Sequence, residues 1–157
     1  MAWRNTIEDM PKDFESLARP SLAHLLLPGE ELRAVTAAVH QKTFSGQQYA
    51  IGVTDQRLLL QPVDRHIEAK GDPILVTPES IDSVKLDGAG DGWWTAPLAV
   101  LDASAVALDL RLRDGNKLKL MMMRGGSGIM GSLSGGEGQS AGVVALAEWL
   151  SRNARPR

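Results

Sequence analysis

The chain has 157 residues, of which 43% are hydrophobic and 23% charged, as expected of one globular domain with a short appendage. It contains no cysteine, which excludes disulfides, thiolate metal sites and cysteine nucleophiles. With 17 Lys and Arg against 19 Asp and Glu, the net charge of −2 indicates no nucleic-acid partner, and attraction to anions requires a local patch. The longest apolar run, Val143 to Ala147, is far shorter than the ~20 residues of a membrane span, so we expect a cytoplasmic protein without a transmembrane segment.

The first residues carry the pattern of an amphipathic helix. Apolar side chains recur at helical spacing, at Trp3, Ile7, Met10, Phe14 and Leu17. Pro20 is predicted to end this helix, and a leucine-rich turn then completes an N-terminal helical extension over residues 1–27. The apolar stripe can dock on the chain's own domain, pair with a second copy or bind another protein. Its five residues are our candidates for self-association in a homo-oligomer.

From Glu31 onward the apolar period changes from helical to two, which is typical of β-strands. Seven short runs are separated by turn residues, at 32–42, 48–54, 57–62, 74–77, 81–87, 106–113 and 117–123. Strands so closely spaced leave no room for crossover helices, so the pattern predicts an antiparallel meander rather than a parallel α/β sheet.

The last two strands form a hairpin whose register can be argued from the sequence. A two-residue loop would place Leu112 opposite Lys117 and mix apolar with charged side chains on one face. A three-residue loop over residues 114–116 instead pairs Leu112 with Leu118, and it gives Asn116 the left-handed conformation. One face of the hairpin is then a ladder of leucines. The other face carries four cations, Arg111, Arg113, Lys117 and Lys119.

This register places Arg113 opposite Lys117 and Arg111 opposite Lys119. Like charges directly opposite each other destabilise a sheet by roughly 0.2–1 kcal/mol per pair. Two interpretations follow. In the first, an anionic partner binds this face, and that partner is either a lipid head group or an acidic protein surface. In the second, acidic residues of a neighbouring strand interleave with the cations on an ordinary solvated face.

Two further segments complete the pattern. Residues 124–142 are rich in Gly and Ser and are predicted to form a mobile loop, and residues 143–153 then form an amphipathic capping helix. Earlier in the chain, Trp93 and Trp94 are adjacent, so in an extended chain they point to opposite faces. Either one ring is exposed as an anchor for a protein or a lipid surface, or both pack over the rim of the sheet.

Several stretches resemble the bacterial pleckstrin-homology-like (PH-like) and GRAM-like domains. They are LPGEE at 27–31, YAIGVTDQRLLL at 49–60, PILVTPESIDSV at 73–84 and the Asp-Gly-Asn hairpin. The resemblance implies a mainly β domain over residues 28–153, a partly open antiparallel barrel of about seven strands capped by the C-terminal helix. It also implies a binding module. The loop used for phosphoinositides in that family, 41–48 here, offers only Lys42 as a cation.

The sequence carries no catalytic signature, and we expect no cofactor and no metal. His24, His40 and His66 are widely separated, and the GxGxxG spacing at 126–131 lacks the strand–helix context of a nucleotide site. We therefore expect a non-catalytic protein-interaction module that can self-associate. The alternatives are peripheral attachment to anionic membrane lipids through the basic face of the hairpin, and a barrel that encloses a small ligand.

Overall fold

A computed structural model of the chain describes residues 14–41, 46–87, 105–123 and 138–154. Within these ranges lie two α-helices, seven β-strands and one short 3-10 helix. In chain order they are α1 (Phe14–Ala23), β1 (Ala34–Gln41), β2 (Gly46–Val53), β3 (Leu58–Val63), β4 (Ile74–Val76), the 3-10 helix (Pro78–Ser80), β5 (Ile81–Asp87), β6 (Ala105–Leu112), β7 (Lys117–Met123) and α2 (Gly138–Asn153). All seven predicted strands are present, each within two residues of its predicted ends.

The strands form one antiparallel sheet in the order β4-β3-β2-β1-β7-β6-β5. It consists of two halves, β1–β4 and β5–β7, which are joined where β1 meets β7. That junction has only two register pairs, Val39 with Met121 and His40 with Leu120. The sheet curls into a half-barrel whose edge strands, β4 and β5, are connected by the 3-10 helix. The predicted architecture, a mainly β, partly open antiparallel barrel of seven strands with one helix before it and one after it, is confirmed.

The inside of the half-barrel is the main hydrophobic core. Burial alternates strictly along β6, so that its leucines face inward while the residues between them face outward. From α2, Leu146, Trp149 and Leu150 are fully buried in this core. The predicted leucine ladder and the predicted capping role of the C-terminal helix are both confirmed.

The capping helix is longer than predicted. It begins at Gly138, inside the segment predicted to be a mobile loop, and not at Val143. Gly142, within this additional part of the helix, packs directly against β1, because a Cβ at this position would lie 2.3 Å from the carbonyl oxygen of Val35. The glycine therefore permits a close approach of helix and strand, which its composition-based assignment to a loop overlooked. Residues 124–137 of the predicted loop lie outside the described residues.

A second core lies on the outer face of β1–β3, beneath α1. It contains Phe14, Ala18 and Leu22 of the helix and, from the sheet, Val35, Ala37, Ala50, Leu59 and Val63. The prediction that Pro20 ends the helix is wrong, since α1 continues to Ala23. Leu22 is fully buried, so packing holds the last turn where the proline removes a backbone hydrogen bond.

The packing of α1 on the sheet determines which residues of the predicted apolar stripe are exposed to a second copy of the chain. Phe14 is only 3% exposed and packs against its own sheet, as in the first of the three predicted arrangements, whereas Leu17 is 38% exposed. The other three residues of the stripe, Trp3, Ile7 and Met10, lie outside the described residues. Self-association through the remaining residues stays a prediction. Neither described helix has the length and apolar character needed to cross a bilayer.

Candidate anion-binding face

The turn of the β6–β7 hairpin differs from the predicted one. Arg113, Asp114 and Gly115 form the loop, and the N–H of Leu112 donates to the carbonyl of Asn116 at 2.9 Å. Gly115, with φ +99°, takes the left-handed conformation predicted for Asn116. Glycine adopts this conformation without a Cβ penalty, whereas the N–H and side-chain amide of Asn116 are held by the carboxylate of Asp114 at 2.8 and 3.0 Å.

The strands are therefore shifted by two residues from the predicted register. Leu110, not Leu112, lies opposite Leu118, and Leu108 lies opposite Leu120. Because side chains alternate with a period of two, a shift of two residues leaves every side chain on its predicted face. The basic face exists as predicted, but its cross-strand neighbours change.

The charge pairs predicted for this face are wrong in both cases. Arg111 lies opposite Lys117, and Lys119 lies opposite Asp109, while Arg113 belongs to the turn. One pair is thus opposite in charge, which stabilises the hairpin, and only one pair of like charges remains. The acidic residues interleaved with the cations come from β6, at Asp109, and from the neighbouring strand β5, where the carboxylate of Asp87 lies 3.4 Å from the ammonium group of Lys85.

The neighbouring strand, β5, contributes another cation. Lys85 lies opposite Asp109, and Ser83 lies opposite Arg111. Two rows of side chains therefore cross the three strands, Ser83–Arg111–Lys117 and Lys85–Asp109–Lys119. We call the outer face of β5–β7 the basic face; its cations are Lys85, Arg111, Lys117 and Lys119. Sequence reasoning missed Lys85, although the alternation of exposed residues along β5 indicates that it shares this face.

Arg113 is anchored at the end of the basic face. Its Nε donates to the carbonyl oxygen of Glu79 at 2.9 Å, and its backbone N–H donates to Ser80 at the same distance. The side chain stands between two clefts that share Asp82, which occupies an irregularity in the pairing of β5 with β6. We call the two clefts together the hairpin groove.

The hairpin groove runs from the turn to the end of α2. Its first cleft, of about 380 Å³, is lined by residues that include Arg111 and Lys117. The second, of about 330 Å³, reaches Arg152 and Asn153 in the last turn of α2. Sequence reasoning placed Arg152 in the capping helix but did not identify it as a candidate site residue, because nothing local to residue 152 indicates that it faces the hairpin. The Nε of Arg111 is buried and has no hydrogen-bond partner in the described part of the chain.

A separate cationic cleft lies on the other half of the sheet. Arg65 and Lys70, from the connection between β3 and β4, line a cleft of about 460 Å³ together with Gln47 and Asp64. The backbone N–H groups of Glu68 and His66 donate to the Asp64 carboxylate and hold its pKa below the ordinary value. Sequence reasoning considered only Lys42 near this position and missed both cations, which folding brings there from another loop.

Two of the stretches singled out in the sequence, LPGEE at 27–31 and YAIGVTDQRLLL at 49–60, are joined by a buried ion pair. Arg57 donates from Nη2 to Oε1 of Glu30 at 2.7 Å, and the two side chains are 9% and 2% exposed. Thr54 Oγ1 lies 2.9 Å from the same carboxylate. The hydrogen bonds from Arg57, with those from the backbone of Leu27 and from Thr54, lower the pKa of Glu30 to about 2 against the opposing effect of burial. This cluster fastens the segment before β1 to the β2–β3 turn, so its role is structural.

The other predicted contact residues are not placed by the structure. Trp93 and Trp94 lie outside the described residues, between β5 and β6. The described site is therefore the basic face with the hairpin groove at one end of it. Within the described ranges no cluster of His, Asp and Glu side chains has the arrangement of a metal site.

Comparisons with known proteins add little to this geometry. No family model matches the sequence, and no curated protein matches it. Among solved structures, the C-terminal domain of an unknown protein from Leishmania infantum is 12% identical with a TM-score of 0.47, over 88% of this chain and 99% of that one. The hSac2 domain from human phosphoinositide phosphatase Sac2 is 10% identical with a TM-score of 0.49, over 87% and 78%. Similarity at this level carries no conclusion about a ligand or a partner.

Proposed function

We propose that this chain is a non-catalytic docking module that binds an acidic segment of a partner protein across the basic face. The observation that carries the proposal is the pair Arg111 and Lys117, like charges directly opposite each other on the outer side of the sheet. Such a pair destabilises the free protein slightly, and an anion lying over it relieves the repulsion. An acidic segment bound there forms charge-assisted hydrogen bonds, which are the stronger class.

The mixture of charges on the basic face favours a protein over a membrane. Asp109 lies between Lys85 and Lys119, and two more exposed carboxylates, Asp82 and Asp87, border the face on β5. An anionic bilayer presents a uniform negative surface, which these carboxylates repel. A protein surface can place charges of both signs to match, and such complementarity selects one partner against others.

Two alternatives are less well supported. Peripheral attachment to anionic lipids has an observation in its favour, the cleft that contains Arg65 and Lys70 on the other half of the sheet. A barrel that encloses a small ligand would have to displace a core packed by side chains of β1–β7 and α2.

The experiment measures binding of a fluorescently labelled peptide of ten glutamates by anisotropy, at low and at physiological salt. The variant K117E/K119E reverses two exposed charges of the basic face and leaves one opposite-charge and one like-charge pair, so its fold should persist. The variant R65E/K70E makes the same change in net charge on the other half of the sheet. We expect K117E/K119E to bind at least about tenfold more weakly than the unaltered protein, and R65E/K70E to change affinity by less than about twofold.

Three results contradict the proposal. Equal losses in both variants would show attraction to net charge alone. Absence of binding by the unaltered protein would remove the acidic segment as a ligand. Binding to vesicles that contain phosphatidylserine, without binding to the peptide, would instead support the lipid alternative, and sensitivity of that binding to R65E/K70E would locate it.

A further inference from the structure

The hairpin groove presents guanidinium groups that are fixed in place but still able to bind. The Nε and the backbone N–H of Arg113 donate to carbonyl oxygens of the 3-10 helix that precedes β5, so the side chain is oriented before any ligand arrives. Within the described ranges the terminal nitrogens of its guanidinium have no hydrogen-bond acceptor, and Arg113 lines both clefts. An arginine oriented in advance loses less side-chain entropy when it binds an anion.

Arg152, from α2, also lines the hairpin groove. It lies in the last turn of α2, where Asn153 donates from its side-chain amide to the carbonyl oxygen of Trp149 at 2.8 Å and so helps to fix the helix end. Within the described part of the chain, Arg152 forms no ion pair, and neither does Arg111 or Lys117. Cations from three elements, β6, β7 and α2, therefore line the groove, and none of the three forms an ion pair within the described ranges.

The charge and the size of the hairpin groove indicate the chemistry of its ligand. Its described lining holds four cations, Arg111, Arg113, Lys117 and Arg152, and one carboxylate, Asp82. A carboxylate ligand brings a single charge and two oxygens. A phosphate monoester brings a charge of about −1.5 to −2 near neutral pH and three acceptor oxygens, and paired guanidinium groups match it geometrically.

We propose that the hairpin groove binds a phosphorylated side chain of the acidic segment. This inference rests on the proposed function, since the segment that crosses the basic face delivers the phosphate to the groove at the end of that face. The phosphate lies between Arg113 and Arg152, and Asp82 accepts a hydrogen bond from a backbone N–H of the same segment.

The test compares three acidic decapeptides on the full-length protein. They carry a central phosphoserine, a serine, or a pair of glutamates that restores the charge of the phosphate. We expect the phosphoserine peptide to bind about tenfold more tightly than either of the others at physiological salt. In R113Q/R152Q this ratio should fall below about twofold, while in the control R65Q/K70Q, which removes the same charge elsewhere, it should be unchanged. Thermal melting confirms that both variants are folded.

The outcomes separate the two proposals. If none of the peptides binds, the proposed function fails and this inference fails with it. If all three bind with one affinity, or if R113Q/R152Q keeps the tenfold ratio, the phosphate assignment alone is overturned. Binding to vesicles that contain a phosphorylated lipid head group, dependent on Arg113 and Arg152 and without preference for the phosphopeptide, also overturns it and assigns the groove to a membrane.

A pH series tests the phosphate group directly, because its second ionisation falls in a pH range where the other groups of the peptide change little. The second ionisation of a phosphate monoester lies near pH 6, so the affinity for the phosphoserine peptide should rise several-fold between pH 5 and pH 7.5. The serine peptide, whose carboxylates are already largely ionised at pH 5, should show a smaller rise, and R113Q/R152Q should remove the difference between the two peptides. A rise of equal size for both peptides would contradict the assignment.

Discussion

The two halves of the sheet share one inner core, but the outer face of one half is covered by a helix and the outer face of the other is not. On β3 nearly every residue is buried, on both sides of the strand, because α1 covers the outer face. On β6 burial alternates strictly, and two of its four outward positions, Asp109 and Arg111, carry charge. The sequence of a strand therefore indicates whether another element covers its outer face. A continuous apolar run is typical of a strand that is covered on both faces, and alternation of apolar with polar residues is typical of a strand whose outer face is open to solvent or to a partner.

The largest loss of stability is expected at the Glu30–Arg57 ion pair, which joins the segment before β1 to the half of the sheet that α1 covers. Arg57→Met removes one member of the buried Glu30–Arg57 pair and leaves a carboxylate with little access to water. We expect a loss of about 3–5 kcal/mol of unfolding free energy, measured by urea denaturation. A loss below about 1 kcal/mol would show that this ion pair does not hold the two segments together.

The next effect compares the two outer faces directly. Leu59→Ala, beneath α1, should cost about 2–4 kcal/mol, because it leaves a cavity in the second core. Met121→Ala removes an apolar side chain from the outer face of the other half, where it is 41% exposed, and should cost less than about 1 kcal/mol. Equal costs in denaturation experiments would mean that the two outer faces are not different in kind.

Acid should weaken the covered half first. The pKa of Glu30 is lowered in the folded protein to about 2, so its contribution is complete above its unfolded pKa of about 4.5 and is lost as the pH falls toward 2. Between pH 5 and pH 3 we expect a loss of about 2 kcal/mol that Glu30→Gln does not show. If the two proteins lose stability in parallel over this range, Glu30 is not the titrating group.

The smallest effect tests the turn that sets the register of the open half. Gly115→Ala places a side chain at φ +99° and should cost about 1 kcal/mol, whereas Asn116→Ala should cost less. A larger cost for Asn116→Ala than for Gly115→Ala would instead support the turn predicted from the sequence, with Asn116 in the left-handed conformation. Thermal unfolding of the two variants, side by side, distinguishes these outcomes.

Much of this architecture follows from local sequence pattern. The seven strands and the leucine ladder of the hairpin were predictable because alternation reports which side of a strand is buried. The hairpin register was not, since a shift of two residues leaves every face unchanged. Only the preference for glycine over Asn at positive φ distinguishes the two registers, and it also decides that Lys119 faces Asp109 and not Arg111.

The parts that sequence reasoning missed depend on contacts between distant residues. Glu30 and Arg57 stand in two separate motifs, and no local pattern indicates that they form one buried pair. Arg152 joins Arg113 only because α2 ends beside the start of β5. The additional part of α2 packs on β1 through Gly142, and a Gly- and Ser-rich composition by itself does not indicate such a contact.

The most direct test of the account is a titration of ¹⁵N-labelled protein with the acidic peptide, followed by backbone amide chemical shifts. We expect the changes to concentrate on the outer-facing residues of β5–β7 and on the turn at Gly115, with the amides of β1–β4 and α1 unchanged. Changes centred on Arg65 and Lys70, with none at Lys85, Arg111 or Lys117, would contradict the claim that the open half of the sheet is the binding face.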